Sequence, residues 1–502
     1  MVLATAPQAG ASSALTPSAL TSGTVNSGEA EQRCGLFAPV DGAANDRFGT
    51  SIGIDSEVMA VGAWLADAGE QRDTGAVYIH RLQPGDRWTN TQRLLASNPQ
   101  AAAGFGFAVD LEGGILAVAA QSEAVDGAAE AGAVYVFEEQ LDGSWTEVAR
   151  LTAPNPAADD LFGHNLEVDE ATATIVVGTP GADPQPAGGS AVENGGAAHV
   201  FVRGADGTWS HQAELIDPDA KENDRAGNDV GISGDWLVVG QHLNDAGPRG
   251  SIGNAGGALV FRRTGSTWDG PTEILGSDSQ TRDRAGIGVD VDGDILVMTG
   301  WAQGPDDRAV AWVFRHDGES WQEQARIEPG RSTSPGSHFG RHVELSGRLL
   351  AIGASLDDGP GSLGTESSDV DRGAVHFYEE SDGFWLERAK VTPGGADVGA
   401  LAGISLALSD DWAAVGAERA ALSAANSGGA CVIRRADVLD GSNATDRRFG
   451  ATVAVMVPPG SSVDPSSNPT VLIAAVAGGV VVIGAAAFVV SAARRRSGVG
   501  LR

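Results

Sequence analysis

Apolar and polar residues alternate along most of this chain in short runs, and each run ends at glycine or an acidic residue. FAVDLEGG (107–114) and AGIGVDVDGD (285–294) show the pattern, with every second position apolar before a tight turn. Period-two alternation rich in Val, Ile and aromatic residues predicts strands. A second apolar run follows each turn and ends in small residues, as in Val61-Gly62-Ala63, Val177-Gly178-Thr179, Ile352-Gly353-Ala354 and Val415-Gly416-Ala417. After a variable loop comes a third run, such as GAVYIH, GAVYVF, GGALVF or GAVHFY. A tryptophan opens the fourth, at Trp88, Trp145, Trp209, Trp268, Trp321 and Trp385. Four such strands in up-and-down order form one antiparallel sheet.

The four-strand unit recurs. Its anchor stands at Phe48-Gly49, Phe105-Gly106, Phe162-Gly163, Phe339-Gly340 and Phe449-Gly450, with Ala for Phe at Ala226-Gly227, Ala285-Gly286 and Ala402-Gly403. Successive spacings of 57, 57, 64, 59, 54, 63 and 47 residues suit the blades of a propeller. The anchor and signature residues resemble the FG-GAP repeat family, which builds the propeller of integrin α subunits, and the resemblance covers residues 34–457. The expected fold is therefore all-β: a seven-bladed β-propeller of four-stranded antiparallel blades, followed by one C-terminal transmembrane α-helix.

The ends of the repeat array predict how the ring closes. No tryptophan strand follows GGACVIRRADVL in the seventh unit, whereas CGLFAPVDGAANDRFG before the first anchor matches the strand-to-anchor segment RLTAPNPAADDLFG of the second. Pairing the spare N-terminal strand with the incomplete blade removes two sheet edges. It also brings Cys34 beside Cys431, the two cysteines of the chain, as an expected disulfide; two separate buried thiols are the alternative. A competing closure uses FGATVAVMV (449–457) as the extra strand.

Outside the ring, residues 1–33 are rich in Ala, Ser and Thr without periodicity and read as disordered. A Pro/Ser stalk occupies 458–469. Residues 471–490 carry no charge, which is the length a bilayer requires, so 470–493 are expected to form a transmembrane helix before a basic tail at 494–502. Arg494, Arg495 and Arg496 predict a cytoplasmic tail and a type I protein with the propeller extracellular or lumenal. A tail-anchored protein with a cytosolic propeller is the competing topology. Asn443 begins the sequon Asn-Ala-Thr and is the expected glycosylation site.

Composition narrows the chemistry. The formal charge of −33, from 66 acidic and 33 basic residues, excludes a nucleic-acid partner. The family resemblance implies calcium loops between first and second strands. Here those connections are tight turns, and even Asp290-Val291-Asp292-Gly293-Asp294 is too short for a calcium cage. No cofactor is expected. Weak metal candidates lie in the loops after the second strand: Asp67, Asp73, Asp357, Asp358, Asp369 and Asp371. Asp46, Asp160, Asp224, Asp283 and Asp446 recur just before anchors and are expected to cap turns. His338 and His342, four residues apart on a predicted strand, are too far apart for one metal.

The repeated tryptophans are expected to pack between blades. Trp64 and Trp301 differ, because each follows the small-residue signature at the mouth of a variable loop, and they are the expected ligand-face aromatics. Loops 2–3 and 4–1 are long and emerge on one face, where binding residues gather. The functional expectation is a membrane-held binding or adhesion module for a protein or glycan rather than an enzyme. The alternatives are a carbohydrate- or phospholipid-active hydrolase or lyase, which clustered axial carboxylates with shifted pKa values would favour, and a surface-coat or scaffold protein.

Overall fold

In the computed structural model, residues 34–245, 252–301, 309–330, 333, 336–358 and 371–440 are described, together with Val476–Ala477 and Val480–Val481. The alternating pattern forms strands as expected. Blade 1 consists of Phe48–Asp55, Val58–Ala63, Ala76–Gln83 and Arg87–Leu94, in that order across the sheet, all antiparallel. Five further sheets repeat this order. Their innermost strands are Phe105–Glu112, Leu166–Asp169, Val230–Ser233, Gly288–Asp292 and Phe339–Ser346.

The seventh sheet has three strands, Ala402–Leu408, Trp412–Ala417 and Gly429–Arg434, and then a five-residue helix, Arg435–Leu439. Its outer edge is covered by the N-terminal segment, where Phe37 and Ala430 exchange N–H···O bonds in both directions at 2.8 and 3.0 Å. Cys34 and Cys431 are joined by a disulfide, with Cα atoms 5.4 Å apart. Closure therefore uses the N-terminal segment, as isolated bridges rather than a full fourth strand. The alternative closing strand, 449–457, lies outside the described residues.

Adjacent blades are joined by one recurring contact. In five blades a glycine just before the third strand bridges the next anchor: Gly75 to Phe105, Gly196 to Ala226, Gly256 to Ala285 and Gly373 to Ala402, with Gly428 to Phe48 repeating it between blades 7 and 1. Anchor phenylalanines Phe48, Phe105, Phe162 and Phe339 are fully buried between sheets. Glycine is required where blades crowd the axis. A Cβ on Gly62 would lie 2.1 Å from the Gly106 carbonyl oxygen of the next blade, and Gly49 has φ +88°. The tryptophans pack between blades as expected: Trp88 meets Trp412 and Trp236 meets Trp321 edge-on, at 5.6 and 5.2 Å.

Residues 1–33, Asn443 and Asp446 lie outside the described residues, as does most of the expected membrane helix. Within that span, Val476–Ala477 pairs with Val480–Val481 as a two-residue antiparallel ladder. No helix among the described residues is long and apolar enough to cross a membrane.

Candidate functional site

The innermost strand of a propeller blade leaves one edge unpaired toward the axis, and its N–H groups need acceptors. Here carboxylates of the preceding blade supply them. Val168 N–H donates to Asp110 at 2.7 Å, Ile232 N–H to Glu167 at 2.8 Å, Val289 N–H to Asp229 at 2.8 Å, and Leu345 N–H to Asp290 at 2.6 Å. One turn below, Gly113, Glu170 and Gly347 N–H donate to Asp55, Glu112 and Asp292 at 3.0, 2.8 and 2.6 Å. Alternation along each strand places these acceptors two residues apart, so they stack as tiers around the axis.

Two cavities meet at the middle tier. One, of about 380 Å³, opens toward the long-loop face; the other, of about 390 Å³, opens toward the 1–2 turns. Asp110, Glu167, Asp290 and Glu344 line both. Burial lifts these carboxyls: Asp110 to about 6, and Glu167, Asp290 and Glu344 well above the usual carboxylate range, with neighbouring acids adding to the effect. Asp229, in the upper chamber, is pushed by burial to about 7; it also receives a hydrogen bond from the Asn165 amide. Burial pushes the imidazoles the other way, so His164 and His342 fall to about 4, with the Arg341 charge lowering both further. His342 Nε2 lies 3.2 Å from Glu344 Oε1.

The walls of the upper chamber come from two repeat positions. After the anchor glycine, four inner strands slip register, between Phe48 and Ile52, Phe105 and Val109, Phe339 and Val343, and Ala402 and Ser405. The slip takes the residue after the glycine out of the ladder, and Thr50, Phe107, His164, Asn228, Ile287, Arg341 and Ile404 line the chamber. The second position is the first residue past the small-residue signature of strand 2 and holds Trp64, Gln121, His242 and Glu418, among others, with Trp301 at the end of its strand. Contacts between the two run from blade to blade. Trp64 meets Phe107 edge-on at 5.6 Å, Gln121 bonds His164 at 3.0 Å, Arg341 lies over Trp301 at 5.7 Å, and Thr50 donates to Glu418 at 3.1 Å. Scaffold positions hold nearly one residue type in every blade, while these two hold many.

A model of the FG-GAP repeat matches residues 35–80, 88–137, 145–201 and 209–261, each match after the first running from the fourth strand of one blade into the third strand of the next. These four segments are FG-GAP repeats. Two solved structures are similar to the propeller. One is described as a putative 6-phosphogluconolactonase from Bacteroides uniformis, 10% identical, covering 69% of this chain and 85% of its own, with a TM-score of 0.46. The other is a protein from Lactobacillus plantarum, 12% identical, covering 70% and 87%, with a TM-score of 0.40. No curated protein matches the chain.

The FG-GAP scaffold sorts the residues singled out from sequence. Trp64 lines the upper chamber. Trp301 is buried beside it, stacked on His338 at 4.4 Å and facing Arg341, so both aromatics belong to one rim. The loop carboxylates serve their own loops. Asp67 accepts the Asp73 N–H at 3.0 Å, and Asp357, fully buried, pairs with Lys390 at 2.9 Å. Asp358 is buried, Asp371 stands at φ +23°, and Asp369 lies outside the described residues. No group of three acidic, His or Cys side chains suited to a metal occurs among the described residues. The pre-anchor acids cap their turns: Asp46, Asp160, Asp224 and Asp283 each accept the N–H three residues earlier at 2.7 Å. Sequence reading missed Arg341, Asp229 and the axial acids Asp110, Glu167 and Glu344, and set His342 and Asp290 aside only as unsuited to a metal. Aligning the seven units on the anchor glycine would have found them, because they sit at fixed offsets from it.

Proposed function

We propose that this propeller is a binding module whose ligand enters the upper axial chamber from the long-loop face. The observation that carries this reading is the chamber itself. Its volume suits a small ligand or one terminal group of a larger one, and aromatic, guanidinium and amide side chains converge on it from different blades. The loops that surround its mouth can extend recognition to a protein or a glycan chain. The disulfide supports an oxidising compartment. Together with the uncharged stretch 471–490 and its arginine flank, it supports a membrane-held ectodomain.

The test is calorimetric and fluorescence titration of the full chain against a panel of small polar ligands. Trp64→Ala and Arg341→Ala should each weaken a true chamber ligand by about tenfold or more. Unchanged affinity in both variants would place recognition elsewhere.

One observation favours a second reading, acid–base catalysis by a hydrolase or lyase. Asp229, with its pKa raised to about 7, and Glu344 beside the neutral His342 could exchange protons with a bound substrate near neutral pH. Turnover of a bound saccharide that vanishes in Glu344→Gln while binding persists would establish it.

A further inference from the structure

Strand register equates one residue of every third strand: His80 in blade 1 with Phe137, Phe201, Phe261, Phe314, Tyr378 and Ile433 in the others. All seven are buried, and the six apolar or aromatic ones pack toward the preceding blade. For blade 1 the preceding blade is the seventh, so the one histidine of the set stands at the seam where the ring closes. The closing residue departs from the repeat as well. Phe37 pairs with Ala430 where the complete blades place Leu94, Leu151, Leu215, Ile274, Ile327 or Val391 at the end of the fourth strand. Phe37 is only half-buried, and its ring lies 5.2 Å from that of His80. The Phe48 ring flanks both, at 5.9 Å from His80 and 6.1 Å from Phe37.

His80 is 3% exposed, and its Nδ1 lies 3.3 Å from the Tyr78 carbonyl oxygen. A carbonyl only accepts, so Nδ1 carries the proton of the neutral ring and Nε2 is the atom that takes a second. The charges on the surrounding elements are engaged elsewhere. Asp41 of the closing segment faces Arg93 at 3.8 Å, Asp46 accepts the Ala43 N–H, and Arg47 pairs with Glu418. On the blade's own third and fourth strands, Arg81 pairs with Glu139 and Arg87 is exposed; on blade 7, Arg434 pairs with Asp86. Burial therefore pulls the imidazole down to about 4, and only the Tyr78 carbonyl acts in the other direction.

We propose that His80 makes ring closure acid-sensitive: a proton on its Nε2 expels Phe37 from the seam, while the Cys34–Cys431 bond keeps the freed segment tethered so that the opening reverses. A charge among Phe37, Phe48 and Tyr78 is stranded in apolar surroundings, and lifting Phe37 admits water to it. The sign follows from the proton balance. The open form binds a proton near the ordinary histidine pKa and the closed form only well below it, so closure weakens as pH falls from about 6.5 toward 4.

The experiment follows amide exchange of the full, disulfide-closed chain between pH 8 and pH 4.5, corrected for intrinsic rates, beside thermal unfolding. One proton taken up on opening raises the opening equilibrium by up to about tenfold per pH unit, and about thirtyfold at pH 5 relative to pH 8. The rise should appear in Gly429–Arg434 and not in Ala133–Glu139, where Phe137 holds the equivalent place, and a return to pH 8 should restore protection. His80→Phe should keep the seam protected at pH 5 and melt above the parent there, with a smaller gain at pH 8. His80→Leu should do the same with a smaller side chain, should phenylalanine crowd Phe37. Histidine-selective NMR should show His80 titrating below pH 5. A His80 pKa at or above 6.5 would overturn the proposal, as would seam exchange that does not rise with acid or that rises equally in both variants.

Discussion

At the scale of single residues, burial determines the charge of the axis. Asp229 is 7% exposed and accepts the Val289 N–H, yet its pKa rises to about 7 because burial disfavours the charged form. Between the ordinary carboxylate pKa and that value, the native state retains a proton that the unfolded chain has released. Its contribution to stability must therefore fall as pH rises through this window, leaving a cost of about 2–4 kcal/mol near pH 8. Asp229→Asn retains an acceptor for Val289 and removes the charge. Its melting temperature should exceed that of the parent near pH 8, and the gain should disappear near pH 4. A difference independent of pH would refute the burial argument. Trp64 was legible in the sequence because it directly follows a small-residue signature. Asp229 and Arg341 were not, because both faces of a blade are buried against neighbours. Alternation within one strand cannot reveal which side chains reach the axis.

At the scale of elements, the blades are joined by side chains that complete their neighbours' backbones. Glu167 in the innermost strand of blade 3 accepts the Ile232 N–H of blade 4, and the same step recurs at each boundary from blade 2 to blade 6. An acceptor matters here more than a charge, since Glu167 already favours protonation through burial and the nearby acids Asp290 and Asp110. Glu167→Gln should therefore fold with near-parental stability. Glu167→Ala strands an N–H at the axis and should cost about 1–3 kcal/mol. Chemical denaturation of the two variants decides the matter, and equal losses would show that the carboxylate acts through its charge instead. Strand order and turn positions were readable from period-two alternation, because local pattern dictates them. The cross-blade acceptors depend on ring stacking between residues 55 to 65 positions apart, which no local window contains.

At the scale of the whole molecule, a propeller is only as stable as its closure. Six blades complete themselves within consecutive sequence, whereas the seventh depends on Phe37 pairing with Ala430 and on the Cys34–Cys431 bond. That bond spans 397 residues, so it restricts nearly the whole unfolded propeller, and chain entropy sets an upper limit of about 5–6 kcal/mol on its contribution. Part of the closure survives without it, because Leu36 N–H still donates to Gly394 and Phe37 still pairs with Ala430, at 2.9 and 2.8 Å. Cys34→Ser should thus give a folded ring that melts well below the parent. Hydrogen exchange should accelerate first in Gly429–Arg434 and Ala402–Leu408 and only later in blades 2 to 5, because opening begins at the seam. The chamber spans that seam: Ser405 and Glu418 belong to blade 7, while Thr50 and Trp64 belong to blade 1. A ligand bound there should slow exchange across the seam and raise the melting temperature of Cys34→Ser by more than that of the disulfide-closed protein. Equal ligand-induced shifts in the two forms would uncouple the binding chamber from the closure of the ring.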